Sequence, residues 1–223
     1  MDGDPEEVIQ ILNEEFEILD TALAPWEIKH EVEQHSKETK SGSEDLQTHE
    51  AHKIQLTILP ARLEGKKLAV KVVEENNRLV PIQFLPRLTL NFSFVLDPDN
   101  IGEYPMNAAP GYQIEGFFAK NASEINQELE KLFTRRCPCL FNWFNFAKDE
   151  LFADPDNFDE YNPQLFSKME SYDGILTVQT SSELLTLQDE LFETARLRAQ
   201  SEPVHCMICF TQMENVEGLK IFR

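Results

Sequence analysis

Leu88-Thr89-Leu90-Asn91-Phe92-Ser93-Phe94-Val95-Leu96, then an acidic turn, then Tyr104-Pro105-Met106-Asn107-Ala108-Ala109-Pro110-Gly111-Tyr112-Gln113-Ile114, is the stretch that decides how this chain folds. Leu88, Leu90, Phe92, Phe94 and Leu96 are apolar at period two, with Thr89, Asn91 and Ser93 between them, which predicts a strand with one buried face. Pro105 and Pro110 lack amide donors and hold the residue before each in extended geometry, so the segment cannot continue a sheet. It reads as a stiff structural turn pinned by Tyr104, leading into a last short strand near Gly111 to Ile114.

Working back from there, three more strands are predicted. Ile54 to Leu59 alternates and ends at Pro60. Leu68 to Val73 is β-branched and bounded by Gly65 and Asn76-Asn77. Leu79 to Leu85 carries Pro81, which favours an edge or a strand start. Four strands joined by short polar turns predict an antiparallel meander. Upstream, residues 27–53 are polar and hold His30, His35, His49 and His52. No two of these histidines stand at i, i+4 and no cysteine is near, so the segment reads as a disordered insertion rather than a metal site. The chain opens on a helix: Asp4 can cap it, Pro5 suits its first position, Glu7 completes the box, and Val8, Ile11, Leu12, Phe16 and Leu19 form one stripe.

Downstream, Ser123 reads as the cap of a helix with Ile125, Leu129, Leu132 and Phe133 on one side. Pro138 opens the next, where Leu140, Trp143, Phe144, Ala147 and Leu151 align. The rings between Leu140 and Phe146 could form a ligand surface or pack the helix onto the sheet. Cys137 and Cys139 flank Pro138 and read as ordinary thiols at a helix junction. Residues 153–181 are rich in acid, Pro, Asn and Ser, as a linker would be. An amphipathic helix follows, carrying Leu184, Leu185, Leu187, Leu191, Phe192, Ala195 and Leu197.

The chain has 223 residues and a net charge of −20. Residues 1–50 hold 15 acids against 3 bases, residues 147–195 hold 12 against 2, and residues 51–146 hold 10 against 11. A neutral centre between acidic flanks suits a folded module with solvated ends. The charge argues against nonspecific binding to nucleic acid or to an anionic membrane, and no apolar run reaches the length of a membrane span. Four cysteines without a secretory signal predict free thiols or metal ligands in a reducing compartment, cytoplasmic or also nuclear. Cys206-Met207-Ile208-Cys209-Phe210 has the spacing with which a short loop delivers two thiolates to zinc.

The strand at Leu88–Leu96 and the turn at Tyr104, Pro105 and Pro110 resemble the strand and Tyr-Pro-x-x-x-Pro-Pro turn of RWD domains. These are interaction modules related in fold to ubiquitin-conjugating enzymes. Ala109 stands where the family has the first proline of the closing pair. The run Glu7 to Phe16 is similar to the opening RWD helix, except that Glu15 falls where the family prefers an aliphatic residue. Cys206 to Phe210 looks like the opening of a RING finger. The two signals in this order resemble the RWD-containing RING-between-RING E3 ubiquitin ligases, over most of the chain apart from the polar insertion and the middle linker.

The resemblance implies an α+β fold: helix, four-stranded antiparallel meander and two helices as an RWD domain at 1–155. It further implies an acidic linker at 156–181, a helix at 182–201 and the start of a first RING at 206–223. The implied function is to dock a protein partner within the ubiquitin system. Cys206 and Cys209 would form an incomplete zinc site, and a ubiquitin-conjugating enzyme would be engaged only by a complete RING. The chain stops after two ligands of that RING and offers no residue matching the catalytic cysteine of such ligases, so the expectation is an N-terminal portion without transferase activity. Two other readings stay open: a ubiquitin-conjugating enzyme of the same fold, and a full ligase represented by a truncated sequence. The first needs a cysteine soon after the proline turn and a nearby His-Pro-Asn. Between Pro110 and Arg136 there is neither cysteine nor histidine.

Overall fold

The computed structural model describes residues 5–37, 47–60, 68–96, 102–152 and 175–201, together with the residue pairs 204–205 and 212–213. Helix α1 spans Pro5–Ala22, with Glu6 and Glu7 in its first turn, where they complement the helix dipole. Of its predicted stripe, Val8, Leu12, Phe16 and Leu19 are buried and Ile11 is partly buried against the same core. Glu15 is buried among them.

Strand β1 (Ile28–Lys37) pairs antiparallel with β2 (Gln47–Ile58), from Ile28 opposite Leu56 to Lys37 opposite Gln47. The expectation of a disordered insertion at 27–53 is therefore corrected over 28–37 and 47–53, while 38–46 lie outside the described residues. Two features hide this hairpin in the sequence. Its outer face is charged on both strands, with Lys29 Nζ 2.6 Å from Glu31 and Lys53 Nζ 2.6 Å from Glu33. Its inward face carries histidines at positions where the period calls for aliphatic side chains.

Strands β3 (Leu68–Val72), β4 (Arg78–Ile82) and β5 (Leu88–Leu96) follow, and β6 is Tyr112–Glu115. All are close to expectation as elements, but they do not form one meander. β2 pairs directly with β5 from Glu50–Leu96 to Ile58–Leu88, and β5 with β6, giving an antiparallel sheet of order β1-β2-β5-β6. The β3–β4 hairpin leaves this sheet and forms a second one of order β4-β3-β7, where β7 is Ile175–Val178 and runs parallel to β3. The long β2 and β5 match Ile54, Leu56 and Ile58 to Leu88, Leu90 and Phe92 on one buried face, and inserting the short β3 between them would break that match. Asn76 and Asn77 turn the hairpin with φ of 55° and 62°, the left-handed geometry a tight two-residue turn requires. Pro81 lies in edge strand β4, where no ladder donor is lost to a neighbour.

A 3-10 turn at Phe117–Asn121 runs straight into α2 (Ala122–Glu130). Ser123 is thus inside the helix rather than its cap, because the amide of Ala122 already donates to Ala119 O in the preceding turn. Helix α3 (Leu140–Asp149) buries Leu140, Trp143, Phe144, Phe146 and Ala147. Trp143 meets Tyr112 edge-on at 5.3 Å and lies 6.3 Å from Phe92, so these rings pack helix on sheet.

Helix α4 (Ser181–Ser201) is capped by Thr180, whose hydroxyl accepts from the Glu183 amide at 3.2 Å. Leu176, Val178, Leu184 and Leu187 belong to the same buried cluster as α1 and β5. Ser181 bonds Glu74 and Glu75 at the start of α4, and three hydrogen bonds fasten its later turns. Glu190 accepts from the Phe117 amide at 3.0 Å, Thr194 accepts from the Arg87 amide at 3.1 Å, and Arg198 donates to the Pro60 carbonyl. Gly116, at φ 79°, sits where a Cβ would come within 3.0 Å of the Glu190 carboxylate. Two expected boundaries are therefore corrected: the linker at 156–181 ends in a core strand, and the domain at 1–155 extends to α4. Both were set by acidic composition, which says nothing of where a four-residue apolar strand pairs. Among the described residues the fold is α+β, one core serving the four-stranded and three-stranded sheets and four helices.

Candidate interaction site around the Tyr104 turn

The turn joins three elements through one side chain. Tyr104 is 7% exposed, and its hydroxyl donates to Glu15 Oε2 of α1 at 2.5 Å. The Tyr104 hydroxyl oxygen accepts from the Cys139 amide at 3.1 Å, and the Leu140 amide donates to Glu15 Oε1 at 2.5 Å. Leu140 is the first residue of α3, and the side chain at the cap position, Cys139, makes no capping hydrogen bond to the helix. A glutamate from another helix therefore acts as the cap, placing its charge at the positive end of the α3 dipole. Burial raises the Glu15 pKa, opposed by the bonds from Tyr104, Leu140 and Cys139. Burial first, then the Glu15 charge, pushes the Tyr104 hydroxyl far up, so it stays a donor across the accessible pH range.

Pro105 and Pro110 are both buried. Pro105 joins Tyr104 through a cis peptide bond, and its carbonyl accepts from the Arg136 amide at 2.9 Å. Pro110 and its neighbours form a ridge between two concavities. On one side is a groove of about 280 Å³ walled by Val8, Leu12, Phe94, Val95, Leu96 and Tyr104. On the other is a shallower depression of about 790 Å³ floored by Tyr112, Ile114, Asn126 and Glu130. The walls of the groove are mostly apolar side chains, while its exposed surface is nearly as polar as apolar.

Cys137 is exposed and Cys139 buried. Burial pushes the Cys139 thiol up to about 12, and its Sγ lies 3.5 Å from the Tyr104 hydroxyl. A thiol so held stays protonated and is no nucleophile at neutral pH. Cys206 and Cys209 lie outside the described residues, between the paired segments 204–205 and 212–213. Among the described residues there is no group of three or more His, Cys, Asp or Glu able to hold a metal, and no helix long and apolar enough to cross a membrane.

Sequence reasoning placed Tyr104 and the prolines but missed the partner at the centre. Glu15 is a lone acid within an apolar stripe, between Leu12 and Leu19, and that is the signal of a buried carboxylate awaiting donors. Comparison with protein-family models, with curated proteins and with solved structures finds no match.

Proposed function

We propose that this chain is the protein-interaction part of an RWD-containing RING-between-RING E3 ubiquitin ligase, acting in the cytoplasm and nucleus. In this reading the RWD-like body docks a protein partner of the ubiquitin system, and Cys206 and Cys209 give two thiolates to a zinc ion. The observation that supports it best is the Tyr104 turn: a tyrosine-proline corner tying the first helix and the sheet to a later helix, with a groove of mostly apolar walls beside it. A conjugating-enzyme reading needs an ionisable thiol after the turn. Among the described residues two thiols follow the turn: Cys139 is buried and its environment keeps it protonated, while Cys137 is exposed and its reactivity is tested by adduct formation.

The test uses the full chain in cells, crosslinked and purified, beside Val95→Asp. Val95 is 57% exposed and walls the groove, so the substitution charges the surface without entering the core. Components of ubiquitin transfer are expected with the wild type, lost with Val95→Asp, and retained with Cys206→Ser. Recovery of the same partners by Val95→Asp would remove the groove from the reading. Incubation with activating enzyme, charged conjugating enzyme and ubiquitin is expected to leave no reducible ubiquitin adduct on Cys137 or Cys139. Such an adduct would make the chain an enzyme.

A further inference from the structure

A second polar cluster lies on α1, apart from the Tyr104 turn. His30 of β1 and His52 of β2 occupy diagonal positions of one sheet face, since His30 stands opposite Ile54 and His52 opposite Val32. Their rings meet nitrogen to nitrogen, His30 Nε2 to His52 Nδ1 at 3.0 Å. Each outer nitrogen faces a carboxylate. His30 Nδ1 is 3.2 Å from Asp20 Oδ2 of α1, and His52 Nε2 is 3.5 Å from Glu50 Oε2 of β2, an ion-pair distance with no hydrogen-bond partner on that nitrogen. Phe16 of α1 stacks on His52 at 4.6 Å and tilts against His30 at 5.1 Å, and it also meets Phe94 of β5 at 5.8 Å. Among the described residues, Asp20 and Glu50 are the charged groups facing the pair, and β5 presents the Phe94 ring.

Counting protons on this chain gives an uneven answer. The row carboxylate, imidazole, imidazole, carboxylate contains three contacts, and each is satisfied by one N–H. Two neutral imidazoles carry two. Whichever tautomers they adopt, a lone pair is left facing a carboxylate or the two inner lone pairs face each other. One added proton fills all three contacts. A second would put an N–H on both inner nitrogens 3.0 Å apart, where they repel.

We propose that His30 and His52 hold one shared proton as a unit, and that this proton latches the C-terminal half of α1 to the β1–β2 hairpin until a second proton breaks the contact. The His30 side chain is 13% exposed against 6% for His52, so it is the ring with a way out to solvent. Its departure also frees Asp20, and so uncouples β1 from α1. The lowered pKa of His52, caused by burial and then by His30, agrees with a buried ring that stays neutral while the pair holds one proton.

The stability consequence has a definite sign. Below the ordinary histidine value, about 6.5, the unfolded pair binds two protons and the folded pair one, so stability rises with pH. The folding constant changes by up to about tenfold per pH unit on that acid side.

Nitrogen-detected NMR of the full chain tests this directly. Between about pH 5.5 and 7.5 three of the four ring nitrogens should carry hydrogen, with a scalar coupling across the inner N–H···N contact. Two rings titrating independently with no such coupling would overturn the proposal. His52→Phe keeps an aromatic ring against Phe16 and should abolish the acid-side loss of stability. Equal losses in wild type and variant would also overturn the latch. Should His52→Phe fail to fold, Asp20→Asn on the half-exposed end supplies the second arm. Removing that carboxylate disfavours the shared proton and should deepen the acid-side loss, and an acid limb unchanged from wild type would count against the shared proton.

Discussion

Helix α1 carries two polar clusters, and they differ in what answers them. Glu15 is met by the Leu140 amide at the start of α3 and by a tyrosine, itself held by the Cys139 amide, that does not titrate in the working range. His30 and His52 are met by each other and by two carboxylates, all of them side chains that gain or lose protons. Backbone donors are fixed in number, so in the first cluster the Glu15 carboxyl alone can change its protonation. The second can be filled, underfilled or overfilled. A buried polar group held by main chain fixes a fold, while one held by titratable side chains makes part of it conditional.

The largest effect that would break this contrast is expected from Glu15→Ala. It strands the Tyr104 hydroxyl and the Leu140 amide in the core, and should cost roughly 2–5 kcal/mol by denaturant titration. A loss under about 1 kcal/mol would mean that water or a shifted helix satisfies these donors. Tyr104→Phe removes one hydroxyl from the same knot and should cost about 1–3 kcal/mol. Its effect should combine non-additively with that of Glu15→Ala, because both remove one network.

Next comes pH. Burial raises the Glu15 pKa, so between its ordinary carboxylate value, about 4.3, and its folded value the native state holds more proton than the unfolded chain. This group's contribution therefore falls as pH rises through that window and is largest on the acid side. Glu15→Gln should flatten that part of the stability profile relative to wild type. Parallel profiles would show the carboxyl ionised throughout.

The smallest effect is expected on the outer face of the hairpin. Lys53 and Glu33 form an ion pair at 2.6 Å with both side chains about half exposed. Lys53→Met should leave the denaturation midpoint unchanged within error. A clear loss would show that the charged outer face also holds the hairpin in place, and the contrast between the two inward clusters would then account for less of the fold.

How much of this could be read in advance depended on whether one residue type fills one face. Strand β5 was legible because all its inward positions are apolar, and α3 because its stripe is aromatic and aliphatic throughout. β1 was not, because His30 occupies an inward position and makes sense only beside His52, twenty-two residues away. Sequence neighbours usually pair, which favoured a single meander and hid the direct match of β2 with β5. β7 is four residues in acidic surroundings, too short to announce a partner. In the candidate site, Tyr104 and its prolines stood out by type. Glu15 stood out only as a departure, because its donors come from a helix start distant in sequence.

The parallel pairing of β7 with β3 has a consequence for how the chain is made. When β3 and β4 leave the ribosome, the remaining edge of β3 has no partner, and the strand that covers it is synthesised roughly a hundred residues later. Val70 and Val72, fully buried in the finished molecule, wait through that interval beside an open ladder. Pairings of such long sequence separation form slowly, and an exposed strand edge invites a neighbouring chain meanwhile. The nascent protein is thus most vulnerable to association with its own copies before residue 178 emerges, and β7 ends that period by closing the edge.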